Sequence, residues 1–388
     1  MLERSPGTWR LRVFTGRDAT GRPVQVTRTV KGTKRQAQSA LAQFVAEVGA
    51  GSAPLAPNTT TVAQLLDRYI EDQVHTLQPG TVRGYRDKAK HVKAVLGTTR
   101  VTRLSAQQLD RAYRAWLAEG LSPATVHHCH ALVSAALHQA VRRGIVGSAV
   151  TDKASPPPLR SKTPSHVNPA IVRRLIDAAE ESRSYVLGAA IALAAVTGCR
   201  RGELCGLRWS DVDLENRRLW VRRTVKHGLD HRQLVVGPTK AHAQRCLALD
   251  PLALAVLAKH RFEAEEIAHQ VDVALSPDGY ILSLGPAGDE PLKPDSLGQA
   301  FGRVAQRVGA KLRFHDLRHF SATELIGAGT DVRTVAFRLG HADPSTTLRV
   351  YPHALVAKDR EAAAILGALV GQPSGPSARE AAPGLPTP

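Results

Sequence analysis

Arg313-Phe314-His315-Asp316-Leu317-Arg318-His319 opens the stretch that decides how this chain is read. The stretch runs on through an apolar helical segment to Leu339-Gly340-His341 and closes at Tyr351-Pro352-His353. His315 and Arg318 are three positions apart, so a helix would put them on one face. Asp316 suits the first turn of that helix, where a carboxylate meets the positive N-terminal end. Ala328-Gly329-Thr330 predicts a break, with Asp331 capping the next helix and Gly340 ending it. Asp343-Pro344-Ser345 predicts a further helix start with proline just inside, and Tyr351 ends that short helix. The expected pattern is three helices with His315, Arg318, His341 and Tyr351 at the joints.

A phenol has a pKa of about 10 and is a poor nucleophile at neutral pH. It becomes useful when a base takes its proton and cations stabilise charge on the group it attacks. A phosphodiester fits, because in-line attack concentrates charge on oxygens that arginine can fork across. One guanidinium seldom holds both non-bridging oxygens, so a second arginine is predicted. It stands in Thr197-Gly198-Cys199-Arg200-Arg201-Gly202-Glu203-Leu204, directly after an apolar helix over Val186 to Val196.

Arg200 with Gly202-Glu203-Leu204, His315-x-x-Arg318, Leu339-Gly340-His341 and Tyr351 ten positions later together resemble the phage integrase, or tyrosine recombinase, family. The likeness is strong over residues 165 to 370 and one of layout in the N-terminal half. It implies that Tyr351 attacks the scissile phosphate to form a 3′-phosphotyrosyl bond, with Arg200 and Arg318 clamping the phosphoryl oxygens. His315 accepts the tyrosine proton or hydrogen-bonds the phosphate, His341 donates to the transition state, and Glu203 orients Arg200. The leaving 5′-oxygen needs an acid. Lys240, in the Gly237-to-His242 turn, matches the family's hairpin lysine, with Lys226 as its rival; His319 is a decoy beside His315. No cofactor and no metal is implied. The fold class expected is multidomain α+β: a small N-terminal three-stranded sheet with a helix (residues 1–53), an all-α four-helix core-binding domain (59–150), a basic linker (151–164) and a mainly helical catalytic domain with a small antiparallel sheet (165–371). A disordered tail over 372–388 follows. The implied partner is double-stranded DNA, gripped by a homotetramer with possible accessory DNA-bending or directionality proteins. The last helix, Ala354 to Val370, would pack on a neighbouring subunit.

Composition supports a polyanion partner. The 388 residues carry a net charge of +18, with a sequence pI near 10.3. Aromatic residues are only 4%, which favours binding along a duplex backbone over base stacking. Cys129, Cys199, Cys205 and Cys246 show no C-x-x-C spacing and read as reduced thiols of an intracellular protein. The N-terminus is polar and no apolar run reaches about 18 residues, so no membrane span is expected; the family resemblance implies a cytoplasmic, nucleoid-associated place.

Thr8 to Phe14 and Val24 to Val30 alternate as strands around an Asp18-to-Pro23 turn, and Lys34 to Val48 has helical spacing. Nine basic and three acidic residues fall in the first fifty, which points to DNA contact, with Arg10, Arg12 and Arg28 as candidates. Gly49 to Asn58 reads as a linker. Helices then follow from a Thr59-Thr60-Thr61 cap, from Pro79-Gly80, from Ser105 and from Ser122-Pro123. Arg83, Arg86, Lys90 and Lys93 on the second are candidate phosphate contacts, as are Arg160 and Lys162 in the proline-rich linker and Arg201. His127-His128-Cys129-His130 lacks a second ligand segment; Cys129, Val133, Ala136 and Ala140 make an apolar stripe instead. In the last domain Leu219 to Val225, Gln233 to Val236 and Arg245 to Leu249 read as short strands.

Overall fold

The computed structural model describes residues 1–17, 23–49, 59–159, 167–182, 184–230, 232–239, 244–341, 343 and 345. Lys240, Tyr351, Arg160, Lys162, the turn after Asp18, the linker after Gly49, the helix expected over Ala354 to Val370 and the tail lie outside them. The chain divides into two compact units, one built on Met1–Ser161 and one on Lys162–His227 with Arg232–Pro388.

In the first unit, strands β1 (Leu2–Ser5), β2 (Thr8–Arg17) and β3 (Pro23–Lys31) form an antiparallel sheet in that order, followed by helix α1 (Lys34–Gly49). Leu11, Val26 and Phe44 form its small core. The register pairs Arg10 with Thr29, Arg12 with Thr27 and Phe14 with Gln25. These six therefore share the face opposite Leu11 and Val26.

The helical part of this unit has its own core. Helices α2 (Val62–Gln73), α3 (Pro79–Leu96), α4 (Ala106–Ala118) and α5 (Pro123–Arg142) begin where the cap residues predict. Thr61 with Gln64 and Ser105 with Gln108 form reciprocal capping boxes, and the Ser122 hydroxyl accepts from the Thr125 amide. Leu66, Val92, Leu109, Trp116, Leu132 and Leu137 fill the interior. Cys129 is buried among them, while the Tyr113 hydroxyl meets His130 Nδ1 at 2.7 Å and His127 Nε2 meets the Pro157 carbonyl at 2.5 Å.

The second unit is organised around one helix. After α6 (Pro169–Glu180) comes α7 (Tyr185–Thr197), apolar on every side and buried along nearly its whole length. Its alanines and Gly188 let α6 and α9 (Pro251–Gln270), α10 (Pro294–Arg307) and α11 (Asp316–Gly327) approach closely. Gly198 ends α7 in the left-handed conformation, at φ 63°. The short α8 (Arg201–Leu204) follows, then two small sheets. One orders β4 (Val212–Asp213), β5 (Arg218–Val221) and β8 (Arg245–Ala248); the other pairs β6 (Arg223–His227) with β7 (Leu234–Pro238). Helix α12 (Val332–Leu339) is capped by Asp331 and stopped by Gly340, at φ 67°.

One strand expectation is corrected. Leu219 to Val225 is not one strand: it breaks at Arg222, and its halves join different sheets. Arg222 and Arg223 both turn to the buried Asp211 carboxylate, which bends the chain there. Among the described residues β7 pairs with β6 and β8 with β5.

A Cβ at Gly198 would lie 2.5 Å from Leu339 Cδ2. Gly198→Ala should therefore cost at least the roughly 1–2 kcal/mol of a left-handed alanine, and more for the clash. A lowered urea midpoint for the full-length variant is expected; an unchanged midpoint would show that the α7–α12 approach is looser than described.

Candidate active site

Two helix ends create the site. Helices α7 and α12 each finish in a left-handed glycine, leaving carbonyls that no helical amide satisfies. Guanidinium groups take them. Arg318, one turn into α11 and 3% exposed, donates from Nη1 to the Gly198 carbonyl at 2.7 Å and to the Leu339 carbonyl at 2.5 Å. Arg200 donates from Nη2 to the Gly340 carbonyl at 2.9 Å. Two arginines far apart in sequence are thus hooked onto consecutive peptide units of the turn that carries His341.

Arg200 is fixed from behind by Glu203. The carboxylate caps α8 by accepting the Arg200 amide at 2.9 Å, and accepts Arg200 Nη1 at 2.8 Å. Glu203 is buried; burial works against its charge, but the hydrogen bond and charge of Arg245, with the charge of Arg200, outweigh it and hold its pKa below the ordinary value. Gly202 is required here, since a Cβ would sit 2.6 Å from the Val225 carbonyl oxygen.

Charge at the site is unbalanced. Burial, then the neighbouring Arg200, push the Arg318 pKa down to about 10. Arg318 Nη2 is buried without a hydrogen-bond partner among the described residues. A desolvated donor of this kind calls for an acceptor, and an anionic oxygen would also relieve the repulsion between the guanidiniums.

His315 stands at the N-terminus of α11 and His341 just past Gly340. Burial first, then His319, Arg318 and Arg200, push His315 down to about 4; burial, Arg318, Arg200 and His315 do the same to His341. His341 directly follows Leu339 and Gly340, whose carbonyls hold Arg318 and Arg200, and His315 stands three residues before Arg318 at the start of α11. His315 is solvent-exposed, which screens these charges, and with both values lowered both rings are neutral at pH 7. A neutral imidazole can accept a proton from a phenol or donate one hydrogen bond, as its tautomer dictates. The His319 ring lies edge-on to His315 with centroids 5.0 Å apart. Asp316 is buried and accepts the Arg313 amide at 2.8 Å, as its first-turn position predicts.

Four of the six expected catalytic residues, with Glu203, therefore meet at one point; Lys240 and Tyr351 lie outside the described residues. Lys226 lies half-buried on β6. Arg201 is turned away into an ion pair with Asp295 at 2.8 Å. Arg10 and Arg12 occupy the open face of the N-terminal sheet, whereas Arg28 points to the helix side, 4.2 Å from the Phe44 ring centroid. Arg83 is half-buried and Arg86 exposed on α3. Lys90 pairs with Asp87 at 2.9 Å and Lys93 pairs with Asp67; such exposed pairs are weak and exchange readily for phosphate. Arg245, buried on β8, escaped the sequence reading. Its signal was its place in Arg245-x-Leu247-x-Leu249, where alternation turns an arginine inward with two leucines.

The lowered histidines fix a pH dependence. The unfolded imidazole titrates near 6.5, so as pH falls the unfolded chain binds protons first. Stability from His315 and His341 is fully present above that value and is lost as pH falls toward about 4. The urea midpoint of the wild type should fall more between pH 7 and pH 5 than that of a His315→Gln/His341→Gln double variant. Parallel profiles would contradict the placement.

The chain is similar to known proteins in sequence and in fold. Residues 166–358 match the model of the phage integrase family. The chain is 23% identical to the tyrosine recombinase XerC-like protein of Caldanaerobacter subterraneus subsp. tengcongensis, over 89% of this chain and 92% of that one. It is 24% identical to the ICEBs1 integrase of Bacillus subtilis, over 71% of this chain and 73% of the relative. The fold is similar to the crystal structure of a lambda integrase dimer bound to a COC′ core site, with a TM-score of 0.60 and 20% identity over 90% of this chain and 93% of that one. Family match and site geometry together make the chain a member of the tyrosine recombinase, or phage integrase, family and a tyrosine site-specific recombinase.

Proposed function

We propose that this recombinase is an integrase that inserts or excises a mobile element or prophage by cutting and rejoining duplex DNA through a phosphotyrosyl bond at Tyr351. The observation that carries the reading is the attachment of Arg200 and Arg318 to the carbonyls of Gly340 and Leu339, beside His341. In the reaction the phenol oxygen of Tyr351 bonds to phosphorus as the bond to the 5′-oxygen breaks. His315, neutral at pH 7, takes the phenol proton, and Lys240 gives a proton to the leaving oxygen. Arg200, Arg318 and His341 stabilise the charge that builds on the non-bridging oxygens. The phosphotyrosyl ester keeps the energy of the bond it replaced, so the reverse attack by a 5′-hydroxyl rejoins the strand without a nucleotide.

The N-terminal sheet supports integration over chromosome-dimer resolution, a role the XerC-like relative also brings to mind. Its open face carries Arg10, Arg12, Gln25, Thr27 and Thr29, donors and acceptors suited to phosphates and base edges of a second, arm-type sequence. Among the described residues no helix is long and apolar enough to cross a membrane, and work on DNA in the bacterial cytoplasm belongs to the same proposal. Assembly as a tetramer on DNA, coupled by the segment after Tyr351, completes it.

A nicked suicide-duplex library with a randomised core tests the reaction. The wild type should retain DNA covalently with EDTA present, and Tyr351→Phe should retain none; no covalent capture by the wild type overturns the reading. Removing residues 1–50 should abolish binding to a second selected sequence while leaving core cleavage. If that variant binds DNA as the full chain does, resolution becomes the better reading.

A further inference from the structure

We propose that Arg245 is a positioning residue for strand cleavage, setting both the charge and the geometry that Arg200 presents to the phosphate. The inference rests on the recombinase reading above and adds a residue to it.

Arg245 is 4% exposed, at the start of β8. Its Nη2 donates to Glu203 Oε2 at 2.7 Å, and to Cys199 Sγ at 3.5 Å. Its Nε donates to the Arg338 carbonyl at 3.0 Å, in the last turn of α12. A Cβ on Gly340 would lie 2.6 Å from Arg245 Nη1, so the guanidinium is packed directly beneath the turn that carries His341. One planar group therefore ties together the carboxylate that holds Arg200 and the turn that holds His341. A lysine cannot do this, because it lacks the fork.

The electrostatic role is separate. An Arg200–Glu203 pair alone would be close to neutral and would present little field to a substrate. Arg245 shares the same buried carboxylate, so three guanidiniums (Arg200, Arg245 and Arg318) face one carboxylate, a surplus of two positive charges with both histidines neutral. A phosphodiester carries one negative charge, and a pentacoordinate transition state approaches two. Without Arg245 the surplus is one, sufficient for the bound substrate but short in the transition state. The loss should appear in the rate of cleavage and hardly in DNA affinity.

The test uses the full chain and a duplex recovered by covalent capture, made once with a normal scissile phosphate and once with an uncharged methylphosphonate. Arg245→Gln should bind the duplex within about 3-fold of wild type and cleave the phosphate on the order of 10²-fold more slowly, the scale of a lost transition-state donor. On the methylphosphonate, whose transition state carries one charge less, the loss should be at least about 10-fold smaller, by the same charge count. Glu203→Gln/Arg245→Gln removes both buried charges and restores the surplus of two. It leaves residues 203 and 245 both neutral, and its phosphate-to-methylphosphonate rate ratio should return to that of wild type. Equal losses on both substrates would reduce Arg245 to a packing residue, and a double-variant ratio well below wild type would overturn the charge argument. Wild-type cleavage in the same assay keeps either failure distinct from failure of the recombinase reading.

Discussion

A buried carboxylate held between two guanidiniums is the constraint from which the site follows. Glu203 caps α8, receives Arg200 from one side and Arg245 from the other, and is shielded from water. Desolvating that carboxylate is costly, and only the two cations with the capped amide offset it. Because Arg245 also reaches the end of α12, the same interaction ties the Arg200 turn to the Leu339–Gly340–His341 turn. Removing the carboxylate would leave Arg200 without an anchor, Arg245 without its partner, and the two helix ends without the bridge between them.

The scaffold makes the arrangement possible by leaving backbone acceptors where cations are needed. Helices α7 and α12 end in left-handed glycines, and their terminal carbonyls supply partial negative charge that draws Arg318 and Arg200 inward. The central α7 is made of alanine and other small or apolar residues, so α11 packs close enough for Arg318 to reach Gly198. The cations are thereby fixed before any DNA arrives. Burial first, and then the neighbouring positive charges, lower the pKa of Arg318, His315 and His341, and an entering anion relieves the repulsion between the guanidiniums.

Much of this was legible in the sequence because each motif residue lies beside a helix terminus whose punctuation is local. Gly198, Asp331 and Gly340 announce their turns by residue type, and the capped helix starts at Thr61, Ser105 and Ser122 do the same. The parts that were not legible depend on partners distant in the chain. Arg222 breaks what alternation reads as a single strand, because Asp211 receives it and Arg223 together. Arg245 looks like one more basic residue until Glu203 is placed beside it. Arg28 sits on an alternating strand like Arg10 and Arg12, and only the register shows that it faces Phe44 instead of the open side.

The account depends on these cations and Tyr351 acting on a single phosphorus atom. Peptide mapping of the DNA-linked protein tests that most directly. Digestion of the covalent complex with protease and nuclease should leave a nucleotide on the peptide containing Tyr351, joined through its 3′-phosphate, with a free 5′-hydroxyl on the released strand. An adduct on another residue, or a 5′-linked nucleotide, would contradict it.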